Sequence, residues 1–171
     1  MCDLGGGSTE LVVAEGGSIE RWASLPVGSG SYADRYLSDP PRPAEREALR
    51  RAALAELRNA PDCEAEKLVA TGGTASNLGT VLSRARPPAV LTATGLLTAE
   101  ERLDSLPAAR LAQALGVPAP RVKALRGGVE LLLLLLDFYG LDSVHVSHEG
   151  IRHGMILAYC SRGEDWYLSG S

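Results

Sequence analysis

A chain of 171 residues with 45% hydrophobic and 22% charged content is long enough for one compact core, or at most two small subdomains. Its net charge of −4, with seventeen Lys and Arg scattered along it, offers no basic field for DNA or RNA, so an anionic ligand must be held by local donors. Cys2, Cys63 and Cys160 lack CxxC spacing, which argues against a disulfide framework or thiolate zinc site and suits a reducing cytoplasm, and the longest apolar run, Val129 to Leu136, is far too short to span a membrane.

The chain opens on Asp3-Leu4-Gly5-Gly6-Gly7-Ser8-Thr9-Glu10, a glycine turn between two carboxylates that leads into an apolar strand. A two-residue turn centred on Gly6-Gly7, with both glycines at positive φ, pairs Gly5 with Ser8, Leu4 with Thr9 and Asp3 with Glu10. Two carboxylates then face each other across the strands, which asks for a bound cation, a shared proton or escape into water. A hard divalent ion, Mg²⁺ or Ca²⁺, bridging to a phosphate satisfies the carboxylates. Backbone N–H groups of the glycines and the hydroxyls of Ser8 and Thr9 suit the anion. An ordinary glycine hairpin with a solvated rim is the alternative. Only Met1 and Cys2 precede Asp3, so the sequence is expected to be the later part of a longer protein.

Glu15-Gly16-Gly17-Ser18 supplies a second turn and Ile19 to Leu25 a third strand, completing a meander. Pro26 to Ser31 breaks the sheet, Tyr32 to Leu37 starts a helix, and Pro43 opens a helix to Ala60 with Leu49, Ala53 and Leu57 on one face and a Glu47–Arg51 pair on the other. Lys67 to Leu78 repeats the opening logic: a short apolar strand, Gly72-Gly73, then a helix capped by Thr74 or Ser76 whose N-terminus faces whatever lies above the strand. Glycines needed for close strand–helix packing explain that pair equally well. Thr98 to Gly116 reads as two short helices, the first capped through Thr98-x-x-Glu101. Arg121 to Tyr139 reads as a buried helix, followed by a strand at Val144 to Ser147 and a last helix after Glu149-Gly150 that runs towards Tyr159, with a frayed tail from Ser161 anchored by Trp166. His145, His148 and His153 lack the i,i+4 spacing of a zinc helix. Arg121, Arg126 and Arg152, each near an element end, are candidates to reach a phosphate, with surface solvation as the alternative.

The order of meander, helix, strand, helices, strand and helix is that of a ribonuclease H-like α/β domain. With Asp3-Leu-Gly-Gly-Gly-Ser-Thr-Glu10, Leu25-Pro-Val-Gly28, Ala70-Thr-Gly-Gly-Thr74 and Val146-Ser-His-Glu-Gly-Ile-Arg-His-Gly154 in that order, the chain resembles the second domain of the exopolyphosphatase and guanosine pentaphosphate phosphohydrolase (Ppx/GppA) family. The resemblance implies an actin-like ATPase fold of the sugar-kinase/hsp70 superfamily, with a mixed sheet flanked by helices. It makes residues 1–171 a single domain, the C-terminal half of a two-domain cytoplasmic phosphatase whose N-terminal domain is its partner, with a homodimer also expected and no DNA or membrane partner.

The implied substrates are polyphosphate and guanosine pentaphosphate (pppGpp), cleaved at terminal phosphoanhydride bonds with Mg²⁺ or another divalent cation. On this resemblance Asp3 and Glu10 hold the metal. Gly5, Gly6, Gly7, Ser8 and Thr9 form one phosphate loop, Gly72, Gly73 and Thr74 the second, and Arg121 is a loosely matched cleft arginine. Ile151 departs from the family's usual leucine in the closing motif. The family's presumed base, a glutamate between the domains, has no counterpart here, so no catalytic residue is assigned and the domain alone is expected to be inactive or weakly phosphate-binding. The competing expectations are an ATP-binding kinase-like or actin-like domain, and a non-catalytic binding or dimerisation module.

Overall fold

The computed structural model describes residues 1–166, and the end of the expected tail lies outside the described residues. The meander forms as β1 (Cys2–Leu4), β2 (Thr9–Glu15) and β3 (Ser18–Leu25). Gly16 and Gly17 make the β2–β3 turn at φ 57° and 88°, the left-handed pair that a two-residue hairpin needs. The first turn departs from expectation. Its register is as predicted, with Asp3 opposite Glu10, Leu4 opposite Thr9, and the Gly5 N–H bonded to the Ser8 carbonyl at 2.9 Å. Gly6 and Gly7, however, do not adopt positive φ.

Helix α1 (Ser29–Tyr36) starts three residues before the predicted Tyr32, because its first turn is held by carbonyls of the β1–β2 loop. Helix α2 (Pro43–Glu56) begins with proline at its first position, and Glu45 reaches back to the Arg42 N–H at 2.8 Å. The expected Glu47–Arg51 pair forms at 3.2 Å on its outer face. There follow β4 (Leu68–Thr71), α3 (Gly73–Leu82) and β5 (Val90–Thr92).

Helix α4 (Ala93–Asp104) begins well before Thr98. Thr92 caps it by accepting from the Gly95 N–H at 3.0 Å, while Thr98 sits inside the helix and donates to the Thr94 carbonyl. Helices α5 (Ala108–Leu115) and α6 (Ala119–Phe138), strand β6 (Ser143–Val146) and α7 (Ile151–Arg162) follow, and short 3-10 turns extend α2 over Leu57–Asn59 and α7 over Gly163–Asp165.

The strands lie in the order β3-β2-β1-β4-β6-β5. β1, β4 and β6 are parallel, and β2, β3 and β5 are antiparallel to their neighbours. This is the mixed sheet flanked by helices expected of an actin-like ATPase domain. Period-two alternation gives the sheet two unlike faces. Cys2, Leu4, Leu11, Leu25, Leu68, Ala70, Leu91 and Val144 are buried beneath the helices on one face. The other face carries Asp3, Glu10, Val12, Trp22, Val69 and His145, none of them buried. Helix α6 is the hub of the helical layer, packing against α1, α2, α3, α4 and α5. Glycine-free and leucine-rich from Val129 to Leu136, it buries almost every side chain of that stretch. Helix α7 is the opposite case: it buries none of its residues.

Candidate functional site

Because β1 and β4 are parallel neighbours, their carboxyl ends bring the two glycine loops to one edge of the sheet, where open α/β sheets place their ligands. Asp3 is on β1 and Gly72 follows β4. The two meet so closely that a Cβ on Gly72 would lie 2.6 Å from the Asp3 Oδ1, and Gly72 holds φ 89°. Glycine is therefore required at 72 twice over, by backbone conformation and by the neighbouring carboxylate.

The first loop is oriented by α1. The Ser29 N–H (2.9 Å) and Oγ (3.0 Å) both donate to the Gly5 carbonyl, and the N–H groups of Gly30 (3.0 Å) and Ser31 (2.8 Å) donate to the Gly6 carbonyl. A trans peptide sets each N–H opposite the preceding carbonyl, so the N–H groups of Gly6 and Gly7 point away from α1. Among the described residues they meet no acceptor. Sequence reasoning missed Gly28, Ser29 and Gly30 as the seat of this loop. A Cβ on Gly28 would lie 2.4 Å from the Gly6 carbonyl oxygen, so the Leu25-Pro26-Val27-Gly28 motif keeps its glycine for close approach to the loop. The repeated glycines of that segment were the available signal.

The second loop is uncapped. Neither Thr74 nor Ser76 caps α3: the Thr74 hydroxyl donates to the Leu4 carbonyl at 2.9 Å and Ser76 to the Gly72 carbonyl at 3.0 Å. The first N–H groups of α3 thus lack a side-chain partner at the positive end of a ten-residue helix. Arg121, at the start of α6, lies over this turn, its Nη1 3.2 Å from where a Gly73 Cβ would be. The closing loop joins the same edge, with the Thr71 hydroxyl donating to the Glu149 carbonyl at 3.0 Å and the Ser147 N–H to the Ala70 carbonyl at 2.8 Å.

The hydroxyls divide by role. Thr9 donates to the Val27 carbonyl and, like Thr74, is buried, so both hydroxyls fasten loops together and face no open space. Ser8 (2.7 Å) and Ser24 (3.0 Å) both donate to the Glu10 carboxylate and fix its direction. The Asp3 carboxylate has no hydrogen-bond or ion-pair partner among the described residues. Its carboxyl titrates above the usual range, from burial first and the facing Glu10 second.

An Asp3 carboxylate whose ionisation is opposed by burial and by a facing carboxylate suits a divalent cation. Among the described residues no group of three or more His, Cys, Asp and Glu is placed to hold a metal. The facing carboxylates of Asp3 and Glu10 fit a hard ion such as Mg²⁺, which takes one or two carboxylates and completes its shell with water and phosphate. Burial pushes the nearby Cys2 thiol up to about 12, leaving it a packed apolar group rather than a nucleophile.

Arg126 corrects the sequence reading. Its guanidinium is buried, paired with Asp39 at 2.6 Å and bonded to the carbonyls of Leu103 and Leu106, so it reaches no phosphate. Arg152 stands exposed on α7 beside the closing loop. A separate hollow of about 680 Å³, lined by Met1, Glu15, Arg21, Cys63, Lys67 and Tyr139 among others, lies at the opposite ends of β1 and β4.

A family model described as the Ppx/GppA phosphatase family matches residues 1–162. An uncharacterised protein of Streptomyces coelicolor is 30% identical over 182 aligned residues, covering 98% of this chain and 54% of that protein. Among solved structures, the Aquifex aeolicus PPX-GPPA enzyme superposes with a TM-score of 0.83 at 25% identity, covering 92% of this chain and 55% of its own. An exopolyphosphatase from Cytophaga hutchinsonii superposes at 0.80 and 17% identity, covering 94% and 56%, which bears on the fold alone. The chain spans about half the length of the relatives it matches. On the family match, which takes in both glycine loops and the closing motif, the chain belongs to the Ppx/GppA phosphatase family.

Proposed function

We propose that this chain is the phosphate-gripping half of a phosphoanhydride hydrolase. In this reading residues 1–171 form the C-terminal domain of a two-domain cytoplasmic enzyme that removes terminal phosphate from polyphosphate or the 5′-phosphate from pppGpp. The observation that carries it is the convergence, at one open sheet edge, of acceptor-free N–H groups from two glycine loops beside the Asp3–Glu10 pair. The family match and the three free cysteines support it.

The N–H groups of Gly6, Gly7 and the first turn of α3 donate to phosphate oxygens. Because α1 and the Leu4–Thr74 bond already fix their directions, they stabilise charge developing in the transition state without reorganising. Arg121 adds a forked donor from the side of α6. Asp3 and Glu10 would hold Mg²⁺, which when bound supplies charge neutralisation and orients the phosphate. Ser8 and Ser24 keep the Glu10 carboxylate aimed, as outer partners of ligating carboxylates do. The water-activating base belongs to the other half, so this chain alone binds phosphate weakly and hydrolyses little.

The test is phosphate release from long-chain polyphosphate and from pppGpp, with and without Mg²⁺, by this chain and by a form extended upstream. Hydrolysis by the extended form alone, abolished by Glu10→Gln, is expected. An extended form that is inert on both substrates but turns over ATP with an acceptor overturns the proposal in favour of a kinase-like activity on the same fold.

A further inference from the structure

Two consecutive glycines of α6, Gly127 and Gly128, are buried against the starts of α1 and α3, the helices that follow and hold the two glycine loops. Glycine weakens the interior of a helix, so its presence twice in the hub helix calls for a packing reason. The neighbours supply one, and they divide between the loops. A Cβ on Gly127 would lie 2.4 Å from the Ser29 carbonyl oxygen, and a Cβ on Gly128 would lie 2.3 Å from the Thr74 Cγ2. Ser29 carries the first loop, its Oγ donating to the Gly5 carbonyl at 3.0 Å. Thr74 carries the second, its Oγ1 donating to the Leu4 carbonyl at 2.9 Å and lying 3.2 Å from the Ser29 Oγ.

We propose that the Gly127–Gly128 step sets the separation of the two loops, and that Gly128 is a positioning residue acting through Thr74. The inference rests on the reading of those loops as phosphate-facing. The two hydroxyls stitch the loops to each other, and both residues rest on the bare backbone of α6. A methyl group on Gly128 would drive Thr74 away by roughly 1 Å to regain ordinary contact. It would carry Gly72 and Gly73 with it while Gly6 and Gly7 stayed on α1. Donors that must engage one phosphate from two sides lose up to about a hundredfold for a misplacement of that size. The clash is with the threonine methyl alone, so Thr74→Ser, which keeps the hydroxyl, makes room for it. The Gly127 clash is with a backbone carbonyl, which no side-chain change at 74 relieves.

The experiment is a double-mutant cycle on this chain, comparing Gly128→Ala in the parent and in the Thr74→Ser background. One readout is calorimetric binding of tripolyphosphate with Mg²⁺. The other, independent of ligand, is the amide resonances of Gly6, Gly7, Gly72 and Gly73. Gly128→Ala is expected to weaken binding about tenfold and to move the Gly72 and Gly73 resonances in the parent, but to do so less than about twofold in the Thr74→Ser background. Gly127→Ala is expected to show no such rescue. Equal effects of Gly128→Ala in both backgrounds overturn the proposal, as do unmoved Gly72 and Gly73 resonances. If Gly128→Ala does not fold in the parent, recovery of the native spectrum in the Thr74→Ser background supports the proposal, and failure to recover overturns it. If the unsubstituted chain does not bind tripolyphosphate, the phosphate reading fails and the resonances alone decide the positioning.

Discussion

Asp3 and Glu10 face each other across two strands, and among the described residues no basic side chain is paired to either. The Asp3 carboxyl is raised above 3.8, so the folded state holds its proton more tightly than the unfolded chain does. Stability from this residue is therefore present at low pH and lost as pH rises through the raised folded value. Asp3→Asn is expected to stabilise the ligand-free chain at pH 7 by on the order of 0.5 kcal/mol in denaturant unfolding, the scale of a facing like-charge pair. A less stable variant would mean that the carboxylate has an attractive partner. This pair was legible in the sequence because hairpin register is local. The turn conformation was not, because α1 rather than the turn itself fixes the peptide planes of Gly5 and Gly6.

Helix α6 shows how far an element can be read. Its apolar run announced a buried helix, but the one acid inside that run, Glu130, was only an interruption in the pattern. In the structure it is fully buried between Arg46, at 2.6 Å, and Arg50. Glu100 on α4 lies beside this group and is pushed up to about 7, by burial first and by the neighbouring Glu130 carboxylate second. Between its ordinary value of 4.5 and about 7 the folded state binds more protons than the unfolded chain, so this contribution to stability declines as pH rises across that window. The expected decline is on the order of 1 kcal/mol after allowance for partial exposure, and Glu100→Gln is expected to flatten it in melts taken from pH 4.5 to 8. An unchanged profile would place the titration elsewhere. Arg126 was misread for the same reason: its partners, Asp39 and the carbonyls of Leu103 and Leu106, are remote in sequence, and spacing carries no trace of them.

At the scale of the whole molecule, element order and alternation gave the meander and the resemblance gave the mixed sheet, whereas the parallel centre and the sheet edge that gathers the loops emerged only in the structure. Order and alternation did not show that, among the described residues, no helix covers the Asp3 face of the sheet, or that α7 leaves Ile151, Ile156 and Leu157 each more than 60% exposed. A helix with no buried side chain draws little stability from packing, whereas α6 is tied to the global unfolding of the core. Amide hydrogen exchange on this chain is expected to be orders of magnitude faster in α7 than in α6. Comparable protection would show that α7 has found a covering surface.

The donors offered by Gly6 and Gly7 belong to the main chain, and this shapes what mutational scanning can see. Neither residue is at positive φ, and a Cβ on either meets nothing within 4 Å. Gly6→Ala and Gly7→Ala are therefore expected to fold and to keep phosphate contact, so a side-chain survey would score the most exposed part of the loop as tolerant. Proline at either position deletes the N–H itself. Its effect on tripolyphosphate binding, set against that of alanine, measures a recognition element written in peptide groups and invisible to substitutions that alter only side chains.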